Sequence, residues 1–156
     1  MQGKRTIEIA ATPEQVYAVV SDLSRIGEFS PECRGIEWLD GATGPSAGAR
    51  FVGRNRSGPM RWSRHGRVVS AEASREFSFV TEEAGRDSTL WTYRLAPAGA
   101  GTSVTESYEV RWIPWWMHIV DVITFRRQQL TRNMATTLER LKARVESQLA
   151  DEATRR

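Results

Sequence analysis

Two charged side chains stand where the residues around them call for apolar ones. In "RWSRHGRVV", period-two alternation puts Trp62, Arg64, Gly66 and Val68 on one face. Arg61, Ser63, His65 and Arg67 take the other. Between Thr102 and Trp112, Val104, Glu106, Tyr108 and Val110 share a face in the same way. Arg64 and Glu106 therefore belong to an inward, largely apolar set. A buried charge is costly unless it is paired or hydrogen-bonded. Either the two face each other across a cavity, or water or a ligand satisfies them; a plain buried tie or a wet sheet edge fits the same residues. The chemistry such a pair could do is acid–base. The guanidinium can polarise a carbonyl toward an enolate, and a desolvated carboxylate can accept an α-proton. The candidate catalytic residues are Arg64, Glu106 and Tyr108.

Other chemistry has weaker support. Cys33 stands alone in a loop after Pro31, with no histidine near it in sequence to act as a base. His65 points outward in its strand, and His118 opens a helix beside tryptophans, where an acid–base role competes with an ordinary surface position. Two histidines and one cysteine without close spacing do not suggest zinc. "GATGPSAG" lacks the Lys-Ser/Thr ending of a phosphate loop. No cofactor is expected. "RNRSGPMRWSRHGR" gathers five arginines around one aromatic, a pattern compatible with nucleic acid. Alternation puts Arg54, Arg61 and Arg67 on an outer face, so a solvated edge guarded against strand pairing is the preferred explanation. Nucleic acid is not expected as a partner.

The elements that must position these residues follow from pattern. Arg5 to Ala10 alternates as a strand. Thr12 is a good N-cap, Pro13 suits the first helical position and Gln15 completes a capping box. A second short helix starts after Ser21 or Asp22 and stops near Gly27. Six strand-like runs come next: Gly35–Asp40, Ala49–Asn55, Met60–Ala71, Glu76–Glu82, Ser88–Leu95 and Thr102–Trp112. The short connections make neighbours antiparallel. From Trp115 to about Leu149 there is no Gly or Pro, and apolar residues recur at helical spacing, which predicts one long amphipathic helix. The sum is an α+β domain. Residues 1–150 form one domain, and 151–156 form a disordered tail.

The inward face also takes Phe51, Gly53 and Asn55, then Phe77 and Phe79, then Trp91, Tyr93 and Leu95. A β-bulge would swap a strand's assignment beyond it. In "RWIPWWMHIVDVITF", Pro114 ends the last strand and sets up the helix. Trp116 shares a stripe with Ile119 and Ile123 and is expected inward, while Trp115 either caps an entrance or lies on the surface. Val122 and Phe125 occupy a second face, open to the short helices, a partner chain or a membrane surface; a homodimer seam is one option there.

Composition sets the bounds. Hydrophobic content is 40% and charged content 26%, as in ordinary globular proteins. The net charge is only +3. Lys4 and Lys142 are the sole lysines, so 22 − 2 leaves 20 arginines. One cysteine excludes an intrachain disulfide and fits a reducing, cytoplasmic location. The N-terminus lacks a signal-peptide core. Trp112 to Phe125 falls short of the about 20 apolar residues that a transmembrane helix needs.

The ordered segments "IEIAATPEQVYAVVSDLSRIGEFSPE", "GARFVGRN" and "STLWTYRLAPAGAGTSVTESYEV", with the closing helix, resemble the START-like (SRPBCC) superfamily in its polyketide cyclase/dehydrase branch. The resemblance spans residues 4 to 148. It implies a helix-grip fold: a seven-stranded antiparallel sheet bent around the C-terminal helix, a hydrophobic cavity between them, and two short helices closing one end. Such proteins bind lipids, sterols or polyketides, and some catalyse cyclisation or dehydration. The expected function is binding of a small apolar ligand, with a cyclase/dehydratase using acid–base chemistry as the alternative. The expected wall comprises Phe51, Trp62, Arg64, Phe79, Trp91, Tyr93, Glu106 and Tyr108 from the sheet, and Trp115, Trp116, Ile119 and Ile123 from the helix.

Overall fold

The computed structural model describes Met1–Arg156. Strand β1 (Gln2–Ile9) leads into helix α1 (Pro13–Val20) and a short 3-10 helix (Leu23–Glu28). Thr12 caps α1: its side chain accepts from the Gln15 backbone N–H, and the Gln15 side chain accepts from the Thr12 N–H. That start turns Val16, Val19 and Val20 into the core.

The chain then runs as a meander: β2 (Cys33–Trp38), β3 (Arg50–Ser57), β4 (Met60–Glu72), β5 (Glu76–Glu83), β6 (Arg86–Ala98) and β7 (Gly101–Val110). All seven strands form one antiparallel sheet in the order β1-β7-β6-β5-β4-β3-β2. The β5–β6 turn is two residues long, and both Ala84 and Gly85 have positive φ (50° and 74°), the twist that suits a tight hairpin. A bulge in β4 between Val68 and Ser70 breaks the alternation there. It lies beyond Arg64 and Gly66, so the inward assignment of those residues stands.

The concave side of the sheet wraps α3 (Arg126–Thr154), giving the helix-grip fold. Leu130, Met134, Leu138, Leu141 and Val145 of α3 are buried. The main core joins α1, the 3-10 helix and the sheet to Leu138, Leu141 and Val145. A smaller cluster of Tyr108, Leu130 and Met134 sits nearer the start of α3.

Two expectations need correction. The helix after Pro114 is not continuous. α2 (Trp115–Ile123) ends at Thr124, and Phe125 takes the left-handed conformation (φ 52°, ψ 39°) before α3 begins. No Gly or Pro marks the break. At its other end α3 continues to Thr154, so residues 151–154 are helical, though exposed. No helix is long and apolar enough to cross a membrane.

Candidate functional site

Between the sheet and α3 lies a cavity of about 200 Å³. That is well beyond the about 10–15 Å³ a single water needs, so the interior is not solid. Phe51 and Gly53 of β3, Trp62 and Arg64 of β4, Phe79 of β5, Trp91 and Tyr93 of β6, and Glu106 of β7 line its sheet side. These are alternate residues on one face, as the period-two pattern requires. Leu130, Asn133, Met134 and Thr137 line the helix side. Gly66 makes room for the cavity-lining Phe51: a Cβ there would run into the Phe51 ring.

Glu106 is the dominant polar feature. It is 3% exposed, yet it carries a carboxyl group. The Tyr93 hydroxyl donates to Oε1 at 2.9 Å, while Oε2 has no hydrogen-bond partner in the protein. Burial pushes the Glu106 carboxyl up to about 8, against the opposing effect of the Tyr93 hydrogen bond. Burial also drives the Tyr93 phenol well above its ordinary range, helped by the neighbouring Glu106. Near neutral pH the pair is therefore mostly an uncharged acid and an uncharged phenol. This answers the cost of an inward carboxyl: the group gives up its charge.

Arg64 and Glu106 both line the cavity but do not pair with each other. The Arg64 guanidinium meets Glu83 Oε2 at 3.1 Å, with both side chains partly exposed. Tyr108 is buried beside Trp91 (ring centroids 5.6 Å apart) and outside the cavity lining. Its hydroxyl has no partner, and burial raises it, partly offset by Arg127 and Arg126.

The expectation for the helical aromatics fails. Trp115 and Trp116 are 75% and 52% exposed, and Ile119 and Ile123 are also on the surface. None of the four lines the cavity. The stripe that joined them to Leu130 assumed a continuous helix, and the turn at Phe125 re-aims α2. From α2 only Met117 and Asp121 face the cavity. His118 and His65 are exposed and outside it.

The sequence pattern missed the mouth. Glu32 accepts from both Arg126 guanidinium nitrogens (2.6 and 3.1 Å) and from Asn133 Nδ2 (2.9 Å), tying the loop before β2 to the start of α3. Arg126, Asn133 and Thr137 interleave with Leu130 and Met134 on one helical face, and that mixed stripe was the available signal. Cys33 also lines the cavity. Burial raises its thiol, so at neutral pH it is a packing group and not a thiolate nucleophile.

A family model described as polyketide cyclase/dehydrase and lipid transport matches residues 2–146. The chain belongs to that family. Among solved structures, this family member is similar to the polyketide-cyclase-like protein Cgl2372 from Corynebacterium glutamicum. The two are 32% identical, with a TM-score of 0.65 over 95% of this chain and 93% of that one. TTHA0849 from Thermus thermophilus shares the fold at 21% identity, with a TM-score of 0.70 over 94% and 98% of the two chains. The di-domain ARO/CYC StfQ of the steffimycin biosynthetic pathway shares it at 12% identity, with a TM-score of 0.76 over 96% of this chain and 51% of StfQ. No curated protein matches the family member.

Proposed function

We propose that the chain holds a small apolar molecule carrying a hydrogen-bonding oxygen in the cavity between the sheet and α3. Glu106 supports this most directly. A buried carboxyl with one unpartnered oxygen, held in an aromatic cavity, is a costly arrangement that a ligand carbonyl or hydroxyl would complete. As a neutral acid it has an O–H to donate toward that oxygen. The surrounding Phe51, Phe79, Trp62 and Trp91 favour a flat, aromatic or polyketide-like body, and a lipid chain suits the same walls.

Titration with the neutral fluorophore N-phenyl-1-naphthylamine tests the proposal. Saturable binding should slow alkylation of Cys33, the sole thiol, by N-ethylmaleimide. Native mass spectrometry of freshly purified protein adds a search for a co-purified lipid. Absence of saturable binding together with unprotected Cys33 would reject a ligand cavity.

A second proposal is acid–base catalysis, of the cyclase/dehydratase type, in the same cavity. It draws on the Glu106 value of about 8, near the pH at which a general base works best. The ionised carboxylate would take an α-proton from a bound ketone, leaving an enolate. Exchange of the α-protons of 1-tetralone with D2O, followed by NMR, measures that step. Its rate should rise with pH through about 8. Glu106→Gln should abolish the exchange and leave fluorophore affinity within a few fold. Retained exchange in that variant rules out Glu106 as the base.

A further inference from the structure

The cavity leaves one prominent feature of the chain unused. α2 has no buried residue, although it is the most apolar helix in the protein. Trp115, Trp116, Ile119, Val122, Ile123 and the following Phe125 are all exposed. A patch of this size on a globular chain marks an interaction surface. Its inner side is different: Met117 and Asp121 face the cavity. The helix is thus both an outer apolar surface and one wall of the mouth.

The charges around that mouth indicate what covers it. Arg111 and Arg127 lie in the same surface groove as Val122 and Phe125. Across the mouth, the β3–β4 hairpin carries exposed Arg56 and Arg61 on either side of Met60, itself 66% exposed. The Arg56 backbone N–H donates to the Glu32 carbonyl, and the Glu32 carboxylate holds Arg126, which follows Phe125 directly. Hairpin and helix therefore rim one opening. Four carboxylates at this end are already engaged: Glu32 with Arg126, Glu82 with Arg50, Glu83 with Arg64 and Asp87 with Arg67. Asp121 makes no ion pair, and it turns toward the cavity on the inner side of α2. Arg56, Arg61 and Arg127 make no ion pair. The surface offers tryptophans and aliphatic side chains framed by guanidinium groups that have no carboxylate partner.

We propose that α2 and the β3–β4 hairpin dock this face onto an anionic lipid bilayer, with the mouth of the cavity turned toward the membrane. Tryptophan favours the interfacial zone of a bilayer. A short apolar helix with arginines beside it lies in that zone without spanning it. A second copy of the chain is a poorer occupant. A two-fold contact through α2 would set one basic rim against the other.

The test uses the full chain and flotation with vesicles. One set is phosphatidylglycerol mixed with phosphatidylcholine, the other phosphatidylcholine alone. Binding is expected to the mixed vesicles only, and to weaken with salt. Brominated acyl chains should quench tryptophan emission, and Trp115→Ala with Trp116→Ala should remove most of that quenching. Val122→Asp, at a side chain 76% exposed and so harmless to folding, should cut binding about tenfold or more. Arg56→Ala and Arg61→Ala should each cost about fivefold. Circular dichroism confirms that each variant is folded. No binding to anionic vesicles, equal binding to neutral ones, or indifference to Val122→Asp would overturn the proposal. So would sedimentation equilibrium showing a dimer that Val122→Asp dissociates. N-phenyl-1-naphthylamine binding without vesicles is independent of all these outcomes, so the cavity and the docking face stand or fall separately.

Discussion

Glu106 carries the clearest consequence at the scale of one residue. Its ordinary value is 4.5, and in the folded chain it is about 8. Between those values the folded state keeps a proton that the unfolded chain has released. Stability from this group is complete below about 4.5, falls as pH rises, and is lost above about 8. The slope approaches about 1.4 kcal/mol per pH unit, so the total is a few kcal/mol. Glu106→Gln has no such proton. Urea denaturation of both proteins from pH 5 to pH 9 should show the native chain losing ground to the variant; a constant difference would mean that Glu106 is ionised throughout. Gly66 gives a second single-residue prediction. Gly66→Ala forces the Phe51 ring aside, into or around the cavity. We expect a loss of about 1–3 kcal/mol in the same denaturation, with weaker fluorophore binding. Both positions were legible in the sequence, since alternation placed Glu106, Gly66 and Phe51 inward. The Tyr93 partner of Glu106 was placed on the right face, but which inward polar groups touch depends on strand register. In β6 and β7, Tyr93 stands directly opposite Glu106.

At the scale of the element, the break before α3 matters most. Helical periodicity ran from Trp116 through Ile123 to Leu130 without a glycine or proline, so pattern alone predicted a continuous rod. Phe125 ends α2 in a backbone conformation that bulky residues seldom adopt, at roughly 1–2 kcal/mol. Its ring is exposed, so little packing is lost by replacing it. Phe125→Asn should therefore raise stability, by up to about 1 kcal/mol, because Asn tolerates the left-handed region. A lower urea midpoint would instead show that the ring contributes packing. The clamp of Glu32 with Arg126 and Asn133 lies just past this break. Glu32→Ala should loosen the mouth and speed fluorophore release in stopped flow, with little change in the core. Sequence pattern identified the capping box, the meander and the order of elements because each rests on local chemistry. It could not place the mouth, which arises where three distant segments meet.

At the scale of the whole molecule, the fold is two packed clusters with an aromatic hollow between sheet and helix. Occupancy should stabilise the entire domain, since a ligand bound only by the folded state adds about 2.7 kcal/mol at a hundredfold excess over Kd. For a chain of this size that corresponds to a rise in Tm of roughly 5–10 °C, measurable by calorimetry with N-phenyl-1-naphthylamine.

The sheet order has a kinetic corollary. Strand β1 finds its sheet neighbour in β7, where Gln2 lies opposite Glu109. On the ribosome, β1 is complete roughly ninety residues before β7 begins (Ile9 to Gly101), an interval of several seconds or more at about 5–20 residues per second. The hydrogen-bonded sheet can be closed only once β7 has emerged. Meanwhile, its opening strand is an unattached edge open to wrong pairings.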